Sequence, residues 1–558
     1  MHIAVVQGSE VCTMKTALLL LGMILWGRSE AANITDEEGL YTYRAAIVEY
    51  FPIRNTSLTT DEILVQNTLE YISLLNSVTQ DIDLIVFPES TLTSGGGASS
   101  TSEVPVPFTD IICNSTDTRY HDYLKNLSCA AIEHNTTVVI NIVEKENCTL
   151  NNATGFCPSS GIVYYNSDVA FNESGGVSGR YRKWNLFGEY NLSPPAVVEL
   201  TTITTRNNVS FGIFTCFDIL FDEPALKLIR NLGLKNILFP SMWFSELPFL
   251  TALQVQQMWA EENNVTLLSA GANNPSIGSG GTGIFIGMYC LSSQGPLEYE
   301  MISGSGGTRI ITQTVPKLEV ANNPYVQFAP VEEDTDSIAL EMDSFYLIVD
   351  PSVFDSTSVL LDTNKTTISE EVCNGDSVKI CCEFNITISI NQSISNAPDK
   401  NQYVYHLVAY DNARSFSGVR DGGIESCGLL ACLNESLASC GSRFSNYSDV
   451  VWPMTFENVS VAANFVKSEN RTQFPNSLLS SIRPLSPQYT VWESEETDSI
   501  VRRRHAIVRP QTRLLTFGIY GRDFSRDSPV RDNSDNSAKV AHVNAFIFLC
   551  TLLCYFLI

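Results

Sequence analysis

The chain has 558 residues, of which 44% are hydrophobic and 17% charged, a composition typical of a globular rather than a disordered protein. Its formal net charge of −27 repels phosphate backbones and argues against nucleic acid as a partner. The length exceeds one ordinary hydrophobic core, so we expect two main domains.

The N-terminus has the pattern of a secretory signal peptide. Met14 and a lysine precede the apolar run 16–26, and small residues follow it. We assign residues 1–32 to a leader, with translation starting at Met1 or at Met14. An N-terminal membrane anchor is the less favoured alternative, because the run is shorter than the ~20 residues that span a bilayer.

From about residue 41 to 320, strand and helix patterns alternate. The predicted strands are 43–50, 82–87, 137–143, 211–215, 236–239 and 266–270. The predicted helices are 60–78, with Thr60 as a possible cap, 124–135, 223–232 and 249–264. This alternation predicts an α/β layered fold, and we place the first domain at residues 33–330.

After about residue 333 the chain becomes rich in short β patterns and in cysteine. The predicted strands are 345–349, 377–381, 384–390 and 403–409. They indicate a smaller, mainly β domain at residues 331–522 that contains disulfides. Residues 523–543 are polar and read as a flexible stalk.

The C-terminus resembles a signal for attachment of a glycosylphosphatidylinositol (GPI) anchor. Small residues, a short spacer and an apolar tail at 544–558 follow one another. The attachment residue would be Asn533, Ser534 or Asn536. Because the tail is short for a bilayer span, we favour the GPI anchor over a membrane-spanning helix. The expected location is extracellular, at the cell membrane.

Asn-x-Ser/Thr sequons support this location, since about eighteen are present. A single sequon carries little weight, but this density indicates a glycosylated surface. The candidate sites are Asn33, Asn55, Asn114, Asn135, Asn172, Asn385 and Asn446.

Cysteine usage points to an oxidising compartment. Two clusters outside the leader and tail each hold an even number of cysteines, which suggests pairing within each cluster but leaves the connectivity open. They are Cys113, Cys129, Cys148 and Cys157, and then Cys373, Cys381, Cys382, Cys427, Cys432 and Cys440. Cys216 and Cys290 remain outside them. Cys290 lies in an apolar segment and is a candidate buried free thiol.

Three segments place a reactive residue in a suggestive setting. Glu89 follows a buried strand and a proline, Lys183 lies among aromatic residues, and Cys216 stands where a strand meets a turn. Together they could perform acyl transfer. The thiol attacks a carbonyl, the carboxylate moves the proton, and the ammonium stabilises the oxyanion with a backbone N–H near Phe217. Singly, each residue is better explained by packing, capping or disulfide formation, and spacing alone does not bring the three together.

The segments resemble the Glu, Lys and Cys motifs of the nitrilase superfamily, and most closely its vanin (pantetheinase) and biotinidase branch. The resemblance rests on Phe211-Gly-Ile-Phe-Thr-Cys-Phe-Asp-Ile-Leu-Phe221, Arg180-Tyr-Arg-Lys-Trp-Asn-Leu-Phe187 and Leu238-Phe-Pro-Ser-Met-Trp243. It extends into the second domain at Val372-Cys-Asn-Gly and at Cys381-Cys382, and so covers most of the mature chain.

The resemblance implies a nitrilase-like αββα sandwich for the first domain. It implies Glu89 as proton acceptor, Lys183 as oxyanion stabiliser, Cys216 as nucleophile and Glu189 as the residue that orients Lys183. Trp243 and Phe217 are the expected substrate-binding residues. No cofactor or metal is expected, and the number of subunits is left open.

The implied reaction is hydrolysis of a linear carboxamide, with pantetheine as first candidate and biotin amides as second. A cell-surface binding protein with a lapsed site is a third hypothesis. Gln256 and Gln257, together with the loop 269–275, depart from the pattern expected of vertebrate relatives. We expect these segments to border the acyl pocket, so the departures leave the substrate open.

Overall fold

The computed structural model describes residues 39–53, 55, 57–92, 101–107, 110–149, 157–287, 306–320, 323, 336–374, 380–396 and 400–530. The leader, Asn33, Cys290, the three candidate attachment residues and the apolar tail lie outside this part of the chain. Within the described residues, no helix combines the length and the apolarity needed to cross a membrane.

Twelve strands and four helices make up the described part of the first domain. The strands are β1 Thr42–Glu49, β2 Leu84–Val86, β3 Thr137–Asn147, β4 Ile162–Phe171, β5 Val177–Arg182, β6 Thr202–Thr204, β7 Ser210–Ile213, β8 Asn236–Ser241, β9 Glu246–Leu247, β10 Thr266–Gly271, β11 Gly283–Ile286 and β12 Arg309–Pro316. The helices are α1 Thr60–Ser77, α2 Asp122–Glu133, α3 Lys227–Arg230 and α4 Ala252–Asn263.

The first domain contains two stacked sheets. One has the order β12-β1-β2-β3-β4-β5 and the other β11-β10-β8-β7-β6. Along β1, Ala45 and Ile47 join the core between the sheets, whereas Ala46 and Val48 pack beneath α1 and α2. Because successive side chains of a strand face opposite ways, one strand serves both layers. With α4 on the second sheet, the layer order confirms the αββα sandwich.

Two helix predictions need correction. The cap of α1 is Thr59 rather than Thr60, because Thr59 and Glu62 form a reciprocal capping box. The helix expected at 223–232 is reduced to a π-turn, Asp222–Leu226, followed by α3. Glu223 has φ −106° and ψ 132°, since the following Pro224 disfavours helical backbone at this position.

The second domain is a sandwich of two antiparallel five-stranded sheets, ordered β14-β17-β18-β23-β20 and β15-β16-β19-β22-β21. Its elements are β13 Ile348–Val349, β14 Thr357–Leu360, β15 Thr367–Cys373, β16 Cys381–Ile390, β17 Val404–Phe416, β18 Arg420–Cys432, β19 Met454–Val466, β20 Arg471–Leu479, β21 Thr490–Glu496, β22 Ile500–Ile507, β23 Leu514–Asp523, α5 Asp336–Glu341 and α6 Gln392–Ser395.

The ends of the second domain differ from the sequence pattern. The strand expected at 345–349 is limited to β13, which pairs with β9 of the first domain. Residues 523–527, where the polar composition suggests the start of a stalk, pack against the domain. Arg522 Nη2 donates to both carboxylate oxygens of Asp527, at 2.8 and 2.9 Å, and this pairing holds the segment down.

The disulfides confirm pairing within each cysteine cluster. The bonds are Cys113–Cys129, Cys148–Cys157, Cys373–Cys381, Cys382–Cys427 and Cys432–Cys440. Cys382–Cys427 joins β16 to β18 and therefore ties the two sheets of the second domain together. Among the described cysteines, Cys216 alone is a free thiol.

The candidate glycosylation sites within the described residues lie at the surface to different degrees. Asn172 is half-buried, and its side-chain oxygen accepts hydrogen bonds from Ser174 and Gly176. The exposed sites are Asn55, Asn114, Asn135, Asn385 and Asn446. The exposure of these five side chains would allow glycans to be attached, and glycosylation itself stays a prediction.

Candidate active site

The predicted site residues follow strand ends at one edge of the sandwich. Glu89 comes shortly after β2, Lys183 directly after β5, and Cys216 shortly after β7. β2 runs parallel to β1, and β7 runs parallel to β8 and thus to β10. A parallel bridge between Tyr50 and Ala272 joins the ends of β1 and β10, so the carboxyl ends of β2 and β7 point toward the same edge. This is the usual place for ligand sites in open α/β sheets.

Cys216 occupies a sharp turn. Its φ is +48°, in the left-handed region that a residue with a Cβ rarely adopts, and it begins a 3-10 turn, Cys216–Leu220. The side chain of Asp218 reinforces the turn, since its Oδ2 accepts from the Thr215 N–H at 3.1 Å. The residue is 5% exposed, and its Sγ lies 3.6 Å from the carbonyl oxygen of Met242.

Lys183 lies between two carboxylates. Its Nζ donates to Glu89 Oε1 and to Glu189 Oε1, each at 2.7 Å. Its side chain is only 1% exposed, so the ammonium is removed from water and depends on these partners. Glu189 thus contacts the Lys183 ammonium directly, as expected of a residue that orients this lysine.

The backbone of Met242 links the carboxylate to the thiol. Its N–H donates to Glu89 Oε2 at 2.9 Å, while its carbonyl oxygen faces the Cys216 Sγ. Glu89 thus has one oxygen on Lys183 and the other on the segment that contacts Cys216. The predicted acid, amine and thiol are brought together in one buried cluster.

The charges of this cluster shift its proton affinities. Burial disfavours the charged form of Lys183, but Glu189 and Glu89 hold its pKa well above the ordinary value. Burial and the charge of Glu89 raise the pKa of the Cys216 thiol, against an opposing effect of Lys183. The resting state is therefore an ammonium beside a protonated thiol.

A cleft opens beside Cys216 and encloses about 410 Å³ of space, including solvent at its mouth. Its lining is mainly aromatic and apolar: Phe187, Cys216, Phe217, Leu220, Trp243, Phe244, Glu246, Leu250, Ile348, Phe416 and Ser417. The predicted substrate-binding residues Phe217 and Trp243 both belong to it. Phe416 and Ser417 come from the β17–β18 hairpin, so the second domain supplies part of the wall.

Gln256 and Gln257 lie away from this cleft, contrary to expectation. Gln256 Nε2 donates to the carbonyl of Gly281 at 3.1 Å, and Gln257 Nε2 donates to that of Leu485 at 2.8 Å. The loop 269–275 is likewise missing from the described cleft lining. α4 is buried between the second sheet and the second domain, which explains why these side chains serve packing contacts.

Several residues of the site were not predicted from the sequence. Asn166 Nδ2 donates to both Glu89 and Glu189, at 2.8 and 3.0 Å. Asp168 Oδ2 accepts from the hydroxyl of Thr215 at 2.5 Å. The available signal was the pair of polar residues, two apart, within the otherwise largely apolar β4, because buried polar side chains usually have a specific partner.

The arrangement suits attack by a thiol on a carbonyl with proton transfer through a carboxylate.

Two other groups in the described residues bring potential metal ligands together, namely His406 with Cys432 and Cys440, and Glu371 with Cys373 and Cys381. Both pairs of cysteines are disulfide-bonded and therefore lack the thiolate that binds metal.

Two family models match the chain, one in each domain. Residues 44–312 match the family model described as carbon-nitrogen hydrolase, and residues 345–527 match that of the vanin C-terminal domain. Among solved structures, Saccharomyces cerevisiae Nit3, a nitrilase-superfamily member, matches with 19% identity and a TM-score of 0.35, over 50% of this chain and 93% of that one.

Relatives extend across both domains. Vanin-like protein 1 of Drosophila melanogaster is 34% identical, over 92% of this chain and 91% of that protein. Pantetheinase of Canis lupus familiaris is 26% identical, over 86% of each. Biotinidase of Rattus norvegicus is 26% identical, over 80% of this chain and 84% of that protein. The chain is a carbon–nitrogen hydrolase and belongs to the vanin branch of the nitrilase superfamily.

Proposed function

We propose that the protein hydrolyses a linear carboxamide through a thioester on Cys216, with pantetheine as the substrate. The observation that carries the proposal is the buried contact of Lys183 with Glu89 and Glu189, next to a free thiol that opens into the cleft. Support for pantetheine comes from relatives named pantetheinase, and the biotinidases are similar to the same extent.

In this mechanism Glu89 accepts the Cys216 proton as Sγ bonds to the amide carbon. The Lys183 ammonium and a backbone N–H near Phe217 stabilise the resulting oxyanion. As the carbon–nitrogen bond breaks, Glu89 returns the proton to the leaving amine. Water, deprotonated by Glu89, then attacks the thioester carbon. The carbon–sulfur bond breaks, the acid leaves, and Glu89 returns the proton to Cys216 Sγ. For pantetheine the products are cysteamine and pantothenate.

The raised pKa of Cys216 fits this order of events. A thiol that stays protonated at rest needs a base during attack, and Glu89 is the carboxylate joined to its turn through Met242. The apolar lining beside Cys216 would exclude water from the reacting amide and strengthen the electrostatic contacts.

The test is an assay of the purified protein with pantetheine and with biocytin, in which release of amine and acid is measured by mass spectrometry. We expect stoichiometric cysteamine and pantothenate from the native protein and none from Cys216→Ala. Turnover of biocytin alone would show that the substrate is a biotin amide rather than pantetheine. Absence of turnover with both amides would favour the lapsed binding protein.

We also propose that the protein is secreted and held at the cell surface by a GPI anchor. The disulfides, the exposed sequon asparagines and the C-terminal sequence pattern support this location. Phosphatidylinositol-specific phospholipase C should release the protein from intact cells. Retention on the cells after treatment would contradict the anchor.

A further inference from the structure

Three polar side chains lie deep in the sandwich beside the site. Asn166 and Asp168 are on β4, and Asn141 is on the neighbouring β3. They are 3%, 0% and 2% exposed, respectively. Burying such groups costs free energy unless each polar atom finds a partner, so their contacts indicate what the positions are for.

The amide of Asn166 joins the two glutamates. Its Nδ2 donates to Glu89 Oε1 at 2.8 Å and to Glu189 Oε1 at 3.0 Å. These are the same two oxygens that accept from Lys183 Nζ. Each oxygen therefore accepts one hydrogen bond from a charged donor and one from a neutral donor. Asn166 fixes the separation of the carboxylates without adding charge.

Neighbouring contacts determine which way this amide points. The backbone N–H of Ser90 can only donate, and it meets Asn141 Oδ1 at 2.9 Å. Asn141 therefore presents Nδ2 to Asn166, whose Oδ1 accepts at 2.7 Å. The remaining Asn166 group, Nδ2, must face the glutamates. The orientation of a side-chain amide follows from its hydrogen bonds. The orientation of the Asn166 amide is therefore set, through Asn141, by Ser90 in the loop that holds Glu89.

The same network reaches the turn of the nucleophile. Asn141 Nδ2 also donates to Asp168 Oδ1 at 2.8 Å, and Asp168 Oδ2 accepts from Thr215 Oγ1 at 2.5 Å. Thr215 immediately precedes Cys216. A continuous chain of hydrogen bonds, buried except at its half-buried Ser90 end, thus runs from the residue after Glu89 to the residue before Cys216.

We propose that Asn166 is a positioning residue of the hydrolase site, supported by Asn141 and Asp168, which holds Glu89 and Glu189 on Lys183 and fixes them relative to the Cys216 turn. The inference builds on the proposed amide hydrolysis at Cys216. It assigns Asn166 no contact with the reacting atoms. Its effect is exerted through Glu89 and Glu189.

The deciding variant is Asn166→Asp, which keeps the shape but replaces the donor with a carboxyl group beside two others. We expect kcat to fall by about 10²-fold with KM within about twofold, since misplacing a reacting group by about 1 Å has effects of this order. The acidic limb of the pH profile of kcat/KM should move to higher pH, because the variant replaces a hydrogen bond that lowers the pKa of Glu189 with a like charge.

Asn236→Asp is the matched control. Asn236 is 1% exposed and begins β8, at the opposite end of that strand from Met242. This variant should lower the melting temperature but leave the acidic limb in place. The proposal is overturned if Asn166→Asp retains kcat within twofold with an unmoved limb, or if both variants alter the profile equally.

A second readout does not depend on the substrate. The rate of Cys216 alkylation by iodoacetamide against pH should shift to higher pH in Asn166→Asp, because the added negative charge raises the thiol pKa. An unchanged alkylation profile overturns the proposal even if no amide is hydrolysed. If Asn166→Asp fails to fold, Asn166→Ala should lower kcat at least tenfold, and retention of kcat by Asn166→Ala would contradict the positioning role.

Discussion

At the scale of single residues, the site is defined by opposing effects on one thiol. Burial and Glu89 raise the pKa of Cys216, while Lys183 lowers it. The left-handed backbone at Cys216 presents the sulfur to the cleft and close to the carbonyl of Met242. The reactivity of this thiol is therefore governed by two neighbours of opposite charge, which substitutions can separate.

Replacing Glu89 by Gln should separate the two roles of this carboxylate, which are to carry the proton and to raise the thiol pKa through its charge. Amide turnover should fall by about 10²–10⁴-fold, since the proton carrier is lost. The thiol pKa, read from the pH dependence of alkylation, should fall because a negative charge has been removed. Lys183→Met is the opposite control and should raise that pKa. A thiol pKa that rises in Glu89→Gln would contradict the electrostatic account.

The site was predictable from the sequence only where motifs are contiguous. Glu89, Lys183, Glu189 and Cys216 stand in short segments that resemble a known family. Asn166 and its supporting residues had no such signal. They are separated along the chain from the residues they contact, and only strand pairing between β3 and β4 aligns them. Hydrogen bonds formed across strands leave little trace in local spacing.

At the scale of elements, the contact between domains depends on a buried cluster of charges. Arg414 on β17 donates to both carboxylate oxygens of Glu246 on β9, at 2.8 and 2.7 Å, and also to Asp350. Its side chain is 2% exposed. Because Glu246 also lines the cleft, this cluster ties the second domain to the wall of the site.

Arg414→Met should therefore destabilise the protein by about 3–5 kcal/mol, because it leaves two carboxylates buried without their cation. Arg502→Met is the comparison, since Arg502 also donates to both carboxylate oxygens of one glutamate, Glu383, but both side chains are about one-third exposed. Its loss should cost at most about 1 kcal/mol. Chemical unfolding measures both variants, and equal losses would contradict the role of burial.

The predicted strands were right where an uninterrupted apolar run marked the strand. Strands with continuous apolar runs, such as β2 and the stretch from Ile237 to Phe239 in β8, were identified. β4, β5 and β12 were missed because polar and glycine residues interrupt their apolar pattern. The helix expected at 223–232 was wrong because a favourable composition did not outweigh the effect of Pro224 on the preceding backbone.

At the scale of the molecule, α4 connects the two domains. It packs on the second sheet and on β20, and the residues from Ala252 to Glu261 are all buried. Chain length predicted two domains and the cysteine clusters predicted local disulfide pairing. Neither gave a sign of this interface, because a helix buried on all sides lacks a clear polar face. At this interface Glu261 of the first domain and His505 of the second line one small pocket.

Glu261 should make stability depend on pH. Burial, with the charge of Glu262, raises its pKa to about 8 from an ordinary value of 4.5. Between these values the folded protein binds more protons than the unfolded chain, so this residue lowers stability as pH rises from about 5 to 8. Glu261→Gln should therefore gain melting temperature relative to the native protein over this range. A difference independent of pH would contradict the prediction.

The most direct test of the account is acid quenching of the enzyme during turnover of pantetheine, followed by intact-mass measurement and peptide mapping. The account predicts a pantothenoyl adduct on Cys216 that hydroxylamine removes and that Cys216→Ala never forms. Continued hydrolysis by Cys216→Ala, or an adduct on another residue, would contradict the assignment of the nucleophile.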